Sequence, residues 1–120
     1  DSAVFEAAEG ARYSGRFSRD LDGSDPFHWG EGMVFVGPDS ISLQGVLAPG
    51  PDYKLYLSPE FVNSEEDFLR LRHVMARVGD VRTFENFIVP IPQSVDPGAF
   101  SAVVVWCETF EQFITAARYQ

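Results

Sequence analysis

The run Ala102-Val103-Val104-Val105-Trp106-Cys107 carries the strongest structural signal in the chain. Its consecutive valines favour extended backbone, because β-branched side chains are well accommodated on a pleated sheet. The run is apolar at both its odd and its even positions, so a strand built from it has no face suited to water. We therefore predict a central strand that is covered on both sides.

Four shorter runs that precede this segment also have strand character, being rich in β-branched, aromatic or alternating apolar residues: 33–36, 40–43, 53–57 and 84–89. Turn signals made of Gly and Pro separate them at intervals of about ten residues, which is typical of antiparallel sandwiches and barrels. Residues 110–119 fit both a helical stripe and a strand face, and we favour a strand because the neighbouring segments are strands. The predicted fold class is all-β and antiparallel.

One inserted segment has the pattern of a short helix. Asn63 or Ser64 can cap its N-terminus, and the acidic residues 65–67 occupy its first turn, where the helix dipole favours negative charge. Phe68 then begins an apolar stripe that should end near His73. The sequence therefore predicts one short helix inserted into a β-structure.

The chain length indicates a single domain. Its 120 residues, 45% of them hydrophobic, are enough to bury one core. We assign residues 14–120 to this domain and residues 1–13 to an N-terminal arm or edge strand.

The charge balance argues against nucleic acid and anionic membranes as partners. The chain has 18 acidic and 9 basic residues, a formal net charge of -9, and Lys54 is its only lysine. A phosphate backbone or an anionic lipid surface is bound by clustered lysine and arginine. No apolar run approaches the roughly 18 residues that a membrane-spanning helix needs, so we predict no membrane insertion of this chain.

Motifs for metal binding and hydrolysis are poorly represented. His28, His73 and Cys107 are too far apart in sequence to match zinc-site spacings. The acidic run 20–25 lacks the glycine position and the closing glutamate of a calcium loop, so we interpret it as a solvated turn. The chain also has no nucleophile elbow, Walker loop or dinucleotide fingerprint. These features argue against a stand-alone hydrolase or transferase.

Cys107 is the only cysteine, and it has two interpretations. It is either a small apolar residue of the core or a sulfur that takes part in redox chemistry or ligation. Burial beside Trp106 and the adjacent Glu108 disfavour a thiolate, which favours ligation of a metal centre over nucleophilic attack. His28, between two aromatic residues, is likewise either structural or a residue for ligation or proton transfer.

Three motifs in this order resemble the electron-transfer DM thirteen (DM13) domain family, which includes Skeletor-type animal proteins and bacterial proteins. They are His28-x-x-x-Gly32, the run Gly-Pro-Asp-Tyr-Lys-Leu-Tyr-Leu-Ser at 50–58, and Val-Val-Val-Trp-Cys-Glu-Thr-Phe at 103–110. The likeness extends from about residue 14 to residue 119. It implies an antiparallel β-sandwich related to the DOMON class of haem- and sugar-binding modules.

The resemblance also implies a role for Cys107. This residue matches the family's characteristic cysteine, which is proposed to act as a free thiol or as a ligand to a prosthetic group such as haem. On that basis we expect Cys107 to be the redox group, His28 to be a second ligand, and Trp106 and Tyr56 to be nearby aromatic residues of the site. The resemblance further implies a redox partner and an extracytoplasmic location.

An alternative function remains open at this point. The domain could be a non-enzymatic binding module that presents loops such as 49–52 and 90–98 to a protein or a glycan. Cys107 would then be a core residue, and exposed aromatic side chains would form the binding surface.

Overall fold

The computed structural model describes residues 2–120, and its strands account for most of the ordered elements. The elements in chain order are α1 Ser2–Glu9, β1 Tyr13–Phe17, β2 Gly30–Val36, β3 Ser40–Leu47, β4 Tyr53–Ser58, α2 Glu65–Leu71, β5 Ala76–Val81, β6 Glu85–Pro90, β7 Ala102–Cys107 and β8 Gln112–Arg118. Two short 3-10 turns, Arg72–Val74 and Pro97–Ala99, lie between these elements.

The strands form two four-stranded antiparallel sheets that pack face to face. The first sheet has the order β1-β2-β3-β6 and the second has the order β5-β4-β7-β8. This arrangement confirms the predicted β-sandwich with a short helix inserted after β4. The preference for a strand at the C-terminus is also confirmed, because β8 pairs with β7 along its length.

β7 lies in the interior of the second sheet, and all six of its residues are buried. Val103, Val105 and Cys107 face the core between the two sheets. Val104 and Trp106 face a second, smaller core on the other side of the same sheet. The alternation of a strand thus sends neighbouring side chains into two different cores, as the doubly apolar run predicts.

Helix α2 covers this second core. The Ser64 hydroxyl caps the helix by accepting a hydrogen bond from the Asp67 backbone N–H at 3.2 Å. Phe68 and Leu71 are the buried residues of the helix, and the Phe68 ring stacks on Trp106 with the ring centroids 3.9 Å apart. The helix passes into the 3-10 turn Arg72–Val74, close to its predicted end.

The N-terminal segment differs from the predicted loose arm or edge strand. Ser2–Glu9 is a helix that packs against β3 and β6 and buries Val4, and the edge strand begins only at Tyr13. Three alanines in this segment favour a helix, and the burial of Val4 holds it against the first sheet. Asp1 lies outside the described residues, and the division of the chain at residue 14 stays a prediction.

No helix in residues 2–120 is long and apolar enough to cross a membrane.

Candidate functional site

A cavity of about 200 Å³ lies at the end of the sandwich where Cys107 terminates β7. Its lining includes Phe27, His28, Tyr53, Cys107, Phe110 and Gln112, together with the loop at 49–51. These residues come from strand ends and from the loops that join them, which is a common location for binding sites on a β-sandwich.

Sheet register brings three of the lining residues together. Cys107 is paired with Tyr53 of β4 on one side and with Gln112 of β8 on the other. Residues directly opposite one another on antiparallel strands project from the same face of the sheet. Cys107 is 2% exposed and belongs to the core between the sheets, and it also lines the cavity.

His28 reaches the same cavity from the turn that precedes β2. Its Nδ1 lies 2.8 Å from Oδ2 of Asp25, and this hydrogen bond lowers the pKa of the Asp25 carboxyl. When Nδ1–H donates to Asp25, Nε2 is left as the hydrogen-bond acceptor of the neutral imidazole. The His28 side chain is 29% exposed, so the ring bridges the turn and the cavity.

Tyr53 is a site residue that the sequence interpretation did not select. It is 3% exposed, and its hydroxyl donates a hydrogen bond to the Ala48 carbonyl oxygen at 2.5 Å. Burial and the nearby Cys107 raise the pKa of Tyr53 to about 12, which keeps its phenol protonated. In the sequence, Tyr53 opens the strand run 53–57 and lies within the motif at 50–58, but its pairing with Cys107 depends on the strand register.

Trp106 and Tyr56 lie on the opposite face of the second sheet, away from the cavity. Trp106 is fully buried beneath Phe68, and its Nε1–H has no hydrogen-bond partner among residues 2–120. The Tyr56 hydroxyl donates to Glu108 Oε1, and its ring meets Phe68 edge-on. The structure therefore joins His28 with Cys107 but separates both from the other two predicted site residues.

A hydrogen-bonded ion pair closes the edge of this second core. Arg72 Nη2 donates to Glu108 Oε2 at 2.5 Å and to the Tyr56 hydroxyl at 3.3 Å. Burial opposes ionisation of Glu108, but the hydrogen bonds from Tyr56 and Arg72 prevail and lower its pKa. Burial and the bond to Glu108 raise the pKa of Tyr56. This polar group stabilises the helix-covered face and has no access to the cavity.

Haem was the cofactor implied by the family resemblance, and the cavity does not fit it. Cysteine and histidine are both suitable axial ligands of haem iron. A cavity of roughly 150 Å³, however, is filled by one benzene molecule. At about 200 Å³ the cavity admits one substituted ring and not a macrocycle of four pyrroles. In residues 2–120 there is also no cluster of three or more His, Cys, Asp or Glu residues that could hold a metal ion.

A comparison with known families covers the part of the chain that forms the cavity. The family model described as electron transfer DM13 matches residues 21–119, a range that includes His28, Tyr53 and Cys107. No curated protein and no solved structure shows a significant match to the chain. Because the match spans nearly the whole sandwich, the chain belongs to the electron transfer DM13 family.

Proposed function

We propose that this domain is an extracytoplasmic electron-transfer module whose redox group is the thiol of Cys107. One observation carries the proposal: Cys107 and His28 line the same small cavity in a chain of an electron-transfer family. The extracytoplasmic setting rests on the family resemblance, and the redox partner is a one-electron acceptor or donor that reaches the cavity.

The chemistry requires movement of a proton as well as an electron. When the Cys107 thiol gives one electron to an acceptor, it becomes a thiyl radical and its proton must be taken up by a base. We assign this role to Nε2 of His28, which is unprotonated in the neutral ring when Nδ1–H donates to Asp25, and the Asp25 carboxylate at Nδ1 stabilises the imidazolium that results. Return of one electron and one proton restores the thiol.

The test is a redox titration of the purified domain beside Cys107→Ser, which keeps the side-chain size. The proposal predicts a one-electron response in the wild type that is absent from the serine variant. His28→Gln should keep the response and change its dependence on pH, because the proton acceptor is altered. An identical response in wild type and Cys107→Ser would refute the assignment of Cys107.

Titration with haem distinguishes two roles of Cys107, a free redox thiol and a ligand of haem iron. Because the cavity is too small for the macrocycle, we expect no saturable Soret shift at equimolar haem. A stoichiometric shift that is lost in Cys107→Ala would instead make Cys107 a haem ligand and would require the loops around the cavity to open.

A second function, binding without redox chemistry, is favoured by one observation. Phe27 and Phe110 lie beside the cavity with 77% and 63% of their surface exposed, although buried aromatic residues are the norm in this sandwich. Such side chains can form a surface for a protein or a glycan. This function predicts that Cys107→Ala binds as the wild type does and that neither has a redox response.

A further inference from the structure

We infer that the cavity beside Cys107 binds a small neutral phenol, a single aromatic ring that carries a hydroxyl group. The inference names the ligand class of the candidate site. Binding follows from the shape and chemistry of the cavity, and only the ligand's redox role rests on the proposed function. In that role the phenol gives one electron and its hydroxyl proton to the Cys107 thiyl radical, so that the phenol becomes a phenoxyl radical and the thiol is restored.

The size of the cavity sets the first limit on the ligand. Its volume of about 200 Å³ exceeds the roughly 150 Å³ that accommodates benzene by enough for one or two small substituents. It is below the roughly 300 Å³ at which pockets for drug-sized molecules begin. One ring with a hydroxyl group matches this volume, whereas a disaccharide or a fused ring system exceeds it.

The walls of the cavity set the second limit. Phe27 and Phe110 are the two most exposed large hydrophobic side chains of the described residues, and both line this one cavity. Phe27 precedes β2 and Phe110 lies between β7 and β8. Exposing both phenyl rings to water at one site has a free-energy cost, which a ligand that covers them would remove. Aromatic rings bind other aromatic rings through edge and offset contacts better than they bind aliphatic ones.

The exposure of the lining residues gives the cavity an outer and an inner end. The two phenylalanines mark the outer end, while Tyr53 and Cys107, 3% and 2% exposed, mark the inner end. A planar ring that enters past the exposed phenylalanines therefore approaches the end where Tyr53 and Cys107 lie. Among residues 2–120, those that line the cavity include no Asp, Glu, Lys or Arg.

The polar groups at the cavity favour a ligand that donates a hydrogen bond from a hydroxyl group and carries no negative charge. In the neutral imidazole whose Nδ1–H donates to Asp25, Nε2 of His28 is an acceptor and can receive a hydrogen bond from a phenolic O–H. The Asp25 carboxylate and the net charge of -9 disfavour an anion in this position. A neutral phenol satisfies both conditions, and a benzoate satisfies neither.

The experiment measures binding of phenol by calorimetry or ligand-observed NMR to the wild type and to matched variants. Phe27→Ala and Phe110→Ala should each weaken binding about five-fold, and His28→Leu should do so by a similar factor. Phe5→Ala is the control, since Phe5 is 58% exposed on α1, outside the cavity lining, and phenol binding should be unchanged. Cyclohexanol should bind about five-fold and benzoate about ten-fold more weakly than phenol.

The inference is overturned if phenol shows no saturable binding, if Phe27→Ala and Phe110→Ala bind it as the wild type does, or if benzoate or glucose is preferred. Cys107→Ser distinguishes this failure from failure of the proposed function. Phenol binding by both proteins without a redox response in either would remove the electron-transfer role and keep the ligand class. A redox response that depends on Cys107, in a protein that does not bind phenol, would keep the electron-transfer role and remove the ligand class.

Discussion

Trp106 and Cys107 are neighbours in the chain, and their side chains are almost equally buried, at 0% and 2% exposed. Their surroundings nevertheless differ in what covers them. Trp106 is sealed by Phe68 of α2, with its ring stacked at 3.9 Å, whereas Cys107 borders a cavity whose outer rim is open to solvent. Two equally buried side chains therefore differ in access, because a helix covers one and a cavity borders the other.

The same contrast holds for the two tyrosines of β4. Tyr53 shares the inter-sheet face with Cys107 and binds the Ala48 carbonyl, while Tyr56 shares the helix-covered face with Trp106 and binds Glu108. The second sheet thus has one face that α2 covers, which carries Tyr56 and Trp106, and one face that borders the cavity, which carries Tyr53 and Cys107. We call the first the sealed face, and we expect substitutions on the two faces to have separable effects.

The largest effect should come from breaking the sealed face. Trp106→Ala removes a fully buried indole and its stack on Phe68, and we expect a loss of about 3–5 kcal/mol in the free energy of unfolding, measured by denaturant titration. Trp29→Ala is the matched control at the other tryptophan. Trp29 is only partly buried, so the expected loss is less than about 2 kcal/mol. Equal losses for both would contradict the contrast.

The ion pair at the edge of the sealed face should contribute a smaller, pH-dependent amount. Glu108→Gln is expected to cost about 1 kcal/mol near neutral pH, because the Arg72 and Glu108 side chains are 37% and 19% exposed and solvent screens the pair. Since the pKa of Glu108 is lowered from 4.5 in the folded state, its contribution is fully present above 4.5 and is lost as the pH falls through the lowered value.

Measurement of the free energy of unfolding at decreasing pH checks the direction of this effect. The difference between wild type and Glu108→Gln should shrink as the pH is lowered from 6 through the acidic range. Glu85→Gln, which replaces an exposed carboxylate on β6 outside this ion pair, is the control and should differ little from wild type near neutral pH. A difference that grows on acidification would show that Glu108 does not have a lowered pKa.

The smallest effects should come from removing the two hydroxyl groups of β4. Tyr53→Phe and Tyr56→Phe each lose hydrogen bonds worth about 1 kcal/mol of stability. Only Tyr53→Phe should also shift the potential of the Cys107 response, because Tyr53 is its cross-strand neighbour. A shift of the same size in Tyr56→Phe would mean that the two faces are not independent.

Much of this fold could be predicted from periodicity. β7, the C-terminal strand and the capped helix α2 each combine a clear apolar pattern with local end signals. The helix Ser2–Glu9 was missed because its stability depends on the tertiary burial of Val4. The match of the family model also confirms the resemblance that the motifs indicated.

The site could be predicted only in part. The chemistry of Cys107 and His28 singles them out as residues, and the structure brings both to one cavity. The inclusion of Tyr53 in place of Tyr56 depends on strand register, which no local pattern specifies. The same is true of Phe27 and Phe110, since two distant loops meet only after the sheets have packed.

The most direct measurement of the central claim is a redox titration of wild type, Cys107→Ser and Trp106→Phe under identical conditions. Each variant alters one of the two neighbouring residues and preserves the approximate shape of its side chain. The account predicts that the one-electron response disappears in Cys107→Ser and persists in Trp106→Phe, because only the cysteine borders the cavity. Loss of the response in Trp106→Phe, with retention in Cys107→Ser, would place the redox group on the sealed face and contradict the account.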